Sequence, residues 1–249
     1  MLAVTATVAA LAAANPNPCQ QPALALRCPD LVMAPATNLR ISRSPSGRKV
    51  VLHMANRIVN VGTGPAELFG QRVSNTEMRA RQVISNASGF RQRFETGAEL
   101  YFKSVPTRGG SYWKWRNAAR FELWAIDLMG HRTQLVRVGP KHDYCLRDLQ
   151  RVRSGPQVRR TRFFPGCNQR ARKNEVTLGT SVGWTDAYPS TYPDNWIDVT
   201  GLSGCFAVVQ RVDPGHGVFE INENNNVSSK IVRLPYKPGL QRCPQPAPT

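Results

Sequence analysis

The chain has 249 residues, 41% hydrophobic and 20% charged, which suits one large domain or two small ones and argues against wholesale disorder. No apolar run approaches the roughly 18–20 residues that span a membrane, so no integral membrane segment is expected. Lys and Arg total 33 against 16 Asp and Glu, and the resulting charge of +17 attracts anionic partners.

Residues 1–14 (MLAVTATVAALAAA) form an apolar stretch of small residues, and Pro16, Pro18 and Pro22 follow it. The pattern resembles the apolar core and cleavage zone of a secretory signal, although no Lys or Arg precedes it. Residues 1–25 therefore read as a signal-like segment and Pro-rich linker, and the protein is expected to be secreted. Cysteines stand at 19, 28, 145, 167, 205 and 243, an even number that suits an oxidising compartment. No two have the Cys-x-x-Cys spacing of a thiolate metal site. Cys145 and Cys167 flank a basic loop and are the favoured disulfide; the other pairings stay open.

From residue 26 to 236 the chain reads as short strands broken by turns. Leu39–Ser42, Lys49–Ala55 and Ala66–Phe69 alternate apolar and polar residues, separated by Pro45-Ser46-Gly47 and Gly62-Thr63-Gly64-Pro65. A short helix is expected near Asn75–Gln82. Strands follow at Ala98–Val105, Trp113–Ile126, Gln134–Val138, Trp196–Val199, Cys205–Val212, Gly217–Ile221 and Val227–Leu234. The fold class is therefore all-β, an antiparallel β-sandwich with long loops and disulfides. A Pro-rich tail occupies 237–249.

Period-two alternation over Tyr112–Arg116 puts Trp113 and Trp115 on one face, as core, and Tyr112, Lys114 and Arg116 on the other. Lys114 and Arg116 then form a basic stripe that could meet an anionic ligand. The Arg-rich stretch from Arg147 to Lys173 reads either as a solvated, partly mobile loop or as an anion-docking surface. The implied partner is an anionic cell-surface or extracellular polymer; nucleic acid is disfavoured.

Several motifs together resemble the catalytic domain of the lysyl oxidase family in its short secreted bacterial form. They include Cys28-Pro29-Asp30-Leu31, Asn60-Val61-Gly62-Thr63-Gly64-Pro65, Ala119-Arg120-Phe121-Glu122-Leu123-Trp124 and Lys141-His142-Asp143-Tyr144-Cys145-Leu146-Arg147-Asp148. Ser181-Val182-Gly183-Trp184-Thr185-Asp186-Ala187-Tyr188, Trp196-Ile197-Asp198-Val199 and Glu220-Ile221-Asn222-Glu223-Asn224-Asn225-Asn226 complete the ordered set, over roughly residues 28–234. The resemblance implies a copper amine oxidase. Alternating histidines on a strand would bind the metal, and a lysine and a tyrosine would cross-link into a quinone that oxidises primary amines, including protein lysine side chains. By position, Lys141 and Tyr188 match the quinone precursors.

The chain departs from this pattern at the metal. The histidines should sit just before Ala119, but residues 110–117 read Gly-Ser-Tyr-Trp-Lys-Trp-Arg-Asn. Lys114 stands where one ligand is expected, and the four histidines (53, 131, 142 and 216) have no ligand spacing. The reading is a degenerate, non-catalytic lysyl oxidase-like protein with no cofactor and no metal ligands. The alternative is an active oxidase, carrying copper and lysine tyrosylquinone, with atypical metal ligands such as His142 beside Lys141. A Gly-x-Ser-x-Gly match at 179–183, followed by Asp198 and His216, raises a serine hydrolase. That elbow needs a strand-turn-helix in a parallel sheet, which the β-rich pattern does not offer.

Overall fold

The computed structural model describes residues 16–44, 46–104, 110–140, 142–240 and 242–246. Residues 1–15 of the signal-like segment, Pro45 of the first turn, Val105, Lys141 and residues 247–249 of the tail lie outside them.

Two short 3-10 turns, Pro18–Gln20 and Pro22–Leu24, precede sixteen strands. The first eight are β1 Leu26–Arg27, β2 Leu31–Met33, β3 Thr37–Arg43, β4 Val50–Asn60, β5 Ala66–Arg72, β6 Glu77–Asn86, β7 Arg91–Lys103 and β8 Tyr112–Ile126. The rest are β9 Arg132–Val138, β10 His142–Tyr144, β11 Gln150–Arg151, β12 Glu175–Thr180, β13 Trp184–Tyr188, β14 Trp196–Asp198, β15 Gly204–Val212 and β16 Val227–Leu234. One sheet runs β12-β5-β6-β7-β8-β15-β16, with β1 on β6 and both β9 and β10 on β8. The other runs β11-β13-β4-β14, with β2 and β3 also on β4. All pairings are antiparallel. The fold is thus all-β, as the turn-broken alternation implies.

One apolar cluster takes side chains from both sheets: Leu31, Leu52, Met54 and Ile58 from one, Leu68, Leu100, Phe121 and Val208 from the other. Removing this surface from water is the main force holding the sheets together. Three disulfides add to it: Cys19–Cys28, Cys145–Cys167 and Cys205–Cys243. The first ties the opening 3-10 turns to the fold, where Asn17 Nδ2 also donates to the Glu220 carbonyl at 3.0 Å.

Two local expectations fail. The segment read as a helix at Asn75–Gln82 belongs mostly to β6, where Met78, Ala80 and Gln82 point alternately inward. Its Glu, Met, Ala and Arg are good helix formers, but the inward face has period two, and packing outweighs propensity. Gly217–Ile221 is not a strand. Most of its backbone donors go to side chains: the Gly217 and Val218 N–H groups to the Asp213 carboxylate, and the Phe219 N–H to Gln82 Oε1.

Candidate functional site

The site lies where the first half of β8 meets the second sheet. β7 pairs with β8 over Tyr112–Trp115 and β10 pairs with it at Trp115 and Ala119, so both edges of this stretch are occupied. β13, held on β4, brings up Asp186 and Tyr188, and the turn after it supplies Tyr192 and Asp194. Trp113 and Trp115 are core, as expected, but the opposite face of β8 is covered as well.

Lys114 is consequently 0% exposed. Its Nζ donates to the Asp143 carbonyl at 2.9 Å and to Tyr192 Oη at 2.6 Å. Nζ lies 5.0, 4.8 and 4.7 Å from the ring centroids of Tyr112, Tyr188 and Tyr192, a cage whose π faces favour a cation. Burial nevertheless penalises the charge. Together with the nearby Lys103 ammonium it pushes the Lys114 amine down to about 7, against the pull of Asp143, Asp186 and Asp194.

The tyrosines form a continuous layer. Tyr188 meets Tyr144 edge-on at 4.7 Å between centroids and Tyr192 at 4.4 Å. Burial raises the Tyr144 and Tyr188 phenols well above their ordinary values, so both stay neutral. The Tyr144 hydroxyl donates to Asn56 Oδ1, whereas the Tyr188 hydroxyl has no partner among the described residues. Burial also pushes Asp186 up to about 7, with the Arg147 guanidinium, Nε at 3.6 Å, opposing the rise.

Asp143 organises the near side. It accepts from the Tyr101 hydroxyl, from Lys103 Nζ at 2.9 Å and from the Asn117 N–H at 2.9 Å. Burial works against its charge, but the Lys103 and Tyr101 hydrogen bonds outweigh it and hold Asp143 below the usual carboxylate range. Lys103 also bridges to Asp194 at 2.6 Å.

These residues do not fit copper. A copper site needs converging lone pairs from imidazole or carboxylate. At the expected ligand position stands the Lys114 amine, already hydrogen-bonded to a carbonyl and a phenol. His142 is buried with its ring 3.7 Å from that of Phe121; burial keeps it neutral, but one imidazole does not make a copper site. Among the described residues no three His, Cys, Asp or Glu side chains are placed to share a metal.

The basic stripe needs correcting. Lys114 is buried in the cage, out of reach of a surface ligand. Arg116 is half-exposed but neutralised, with Glu77 at 2.7 Å and Glu99 at 3.7 Å. Period two assumes one solvated face, and here both faces are covered. Tyr188 sits in the cage, while Lys141 lies outside the described residues. Cys145 and Cys167 form a disulfide whose sulfurs pack beside Tyr112. The hydrolase candidates are apart in function: the Ser181 hydroxyl donates to Asp148, Asp198 pairs with Lys49, and His216 pairs with Glu223. A strand, β13, follows Ser181 in place of a helix.

Sequence reasoning missed Tyr192, Lys103, Asp194 and Tyr101 as members of the cage. Asp143 lay inside a quoted motif, but nothing in that motif marks it as the organiser. The chain matches the lysyl oxidase family model over residues 74–237 and belongs to the lysyl oxidase family. No individual curated protein matches it.

Proposed function

We propose that this chain is a secreted, degenerate lysyl oxidase-family protein that does not run copper- and quinone-dependent amine oxidation and acts by binding, or structurally, at an extracellular surface. The observation that carries the reading is Lys114. It stands where the family resemblance places a copper-binding histidine, and its Nζ fills the centre of the tyrosine cage beside Tyr188. A lysine amine engaged with the Asp143 carbonyl and the Tyr192 hydroxyl occupies that point without offering an open coordination position. Quinone formation in the family needs copper, so Tyr188 and Lys141 would remain unmodified. Secretion is supported by the three disulfides and the signal-like start.

One observation favours the alternative, an active primary-amine oxidase with atypical ligands. Tyr188 is held without a hydroxyl partner in a polar, buried cluster, as a reactive precursor would be. The deciding assay uses exported protein produced with copper and incubated with a lysine-containing peptide. The proposal expects no aldehyde above a no-protein control. Aldehyde formation that stops in Tyr188→Phe would overturn it.

A further inference from the structure

Between Arg151 and Lys173 the chain carries seven arginines and one lysine and no acidic residue. All eight cations are exposed, and none makes an ion pair with a carboxylate among the described residues. Such a segment repels itself, so the bland expectation is a mobile, solvated loop. The structure holds it down instead.

The Cys145–Cys167 disulfide ties its base. The buried Asp148 carboxylate accepts the N–H groups of Phe163, Phe164 and Ser181 and the Ser181 hydroxyl. Phe164 is buried against Gly179, where a Cβ would lie 2.6 Å from its ring. Trp184 Nε1 donates to the Arg159 carbonyl at 3.0 Å, and Trp113 Nε1 donates to that of Arg170 at 3.1 Å. At the far end, Arg72 Nε donates to the Lys173 carbonyl at 2.9 Å. The backbone is fixed at both ends and in the middle while the charged side chains face water.

Pro156 lines two clefts in this surface. One, of about 410 Å³, has Arg27 and Arg159 beside Thr63 and Gln157, while its Arg91 is paired with Glu67, which lines the same cleft. The other, of about 590 Å³, has Arg151 and Arg160 with Ser154. Guanidinium forks match carboxylate and sulfate oxygens, and hydroxyl and amide groups between them suit sugar hydroxyls. For stacking bases the loop offers a single exposed ring, Phe163, with the Arg159 guanidinium 4.5 Å from its centroid, whereas a base-stacking platform uses several aromatics in succession.

We propose that the pinned 151–173 loop and its two clefts are a docking surface for an acidic polysaccharide. This deepens the binding role proposed above by assigning it a surface and a partner class. Because the ordering cost is met in advance by the disulfide and by Asp148, the bound polymer need not immobilise the loop.

The test measures the affinity of the full, disulfide-intact chain for a heparin-type decasaccharide carrying carboxylates and sulfates. The same measurement is made with a single-stranded oligothymidylate of equal charge, without copper or amine, so oxidase activity does not enter. Replacing Arg151, Arg153, Arg160 and Arg162 by Ser should weaken glycan binding about tenfold or more. Replacing Arg43, Arg48, Arg132 and Arg137, exposed elsewhere, removes the same charge and should change it less than about threefold. Unchanged melting temperatures confirm that both variants fold. Equal weakening in the two variants, no glycan binding by the parent chain, or equal or tighter oligothymidylate binding would each overturn the proposal.

Discussion

Lys114 and Arg160 carry like charges, and the fold treats them in opposite ways. Lys114 is shut away with acceptors, rings and carboxylates arranged around it, and its neighbours Lys103 and Arg147 meet Asp143, Asp194 and Asp186. Arg160 stands in water on a loop that has no carboxylate of its own. A basic group taken out of water must be balanced from within the molecule or give up its proton. An exposed cluster pinned in place without such balance leaves its charge available to a partner. The proposed anion-docking surface is therefore the arginine loop and not the cage strand.

The sharpest way to break the comparison is Asp148→Ala. It strips the acceptor from three backbone N–H groups that pin the loop, and should cost about 4 kcal/mol by chemical denaturation. Glycan affinity should fall with it. If stability drops but affinity holds, pinning is irrelevant to docking. Cys145→Ser/Cys167→Ser comes next. Opening a disulfide whose cysteines are 22 residues apart should cost about 3 kcal/mol. The change should also increase amide hydrogen exchange in 146–166 relative to β15.

In the cage, Lys114→Met keeps the stem but removes the amine from the Asp143 carbonyl and Tyr192, with an expected loss of about 2 kcal/mol. Lys114→Ala should cost more by leaving a cavity. Neither should change glycan affinity, which separates the two regions directly.

A pH dependence tests a buried group outside both regions. Glu220 is buried against the Leu31 N–H and Asn226, and burial raises it to about 9. A carboxyl raised in the folded state contributes stability that is fully present below its unfolded value and is lost as pH rises through the folded one. The melting temperature of Glu220→Gln relative to the parent should therefore climb steadily from pH 5 to pH 9. A flat difference would mean that Glu220 is ionised in the fold.

Much of the fold was legible because its signals are local. The 205–212 and 227–234 runs are short and rich in β-branched residues, and they pair as β15 and β16. Segments whose backbone is satisfied by side chains were not legible, since the donors to Asp213 and Gln82 come from residues far apart in the chain or from a turn. Tyr188 could be placed by family resemblance, and Trp113 and Trp115 by alternation. The cage itself could not, because Tyr192 and Asp194 reach Lys114 and Lys103 only through the packing of two sheets, and Lys103 reaches Asp143 from a different strand of its own sheet. For the same reason period two misjudged Lys114: it reports which side chains share a face, and says nothing about what covers that face.

The most direct test of the central claim is copper stoichiometry and intact mass on one sample of exported protein produced with copper, with peptide mapping across 140–150 and 184–192. The account predicts copper far below one equivalent and unmodified Lys141 and Tyr188. Near-stoichiometric copper together with a Lys141–Tyr188 cross-link would contradict it.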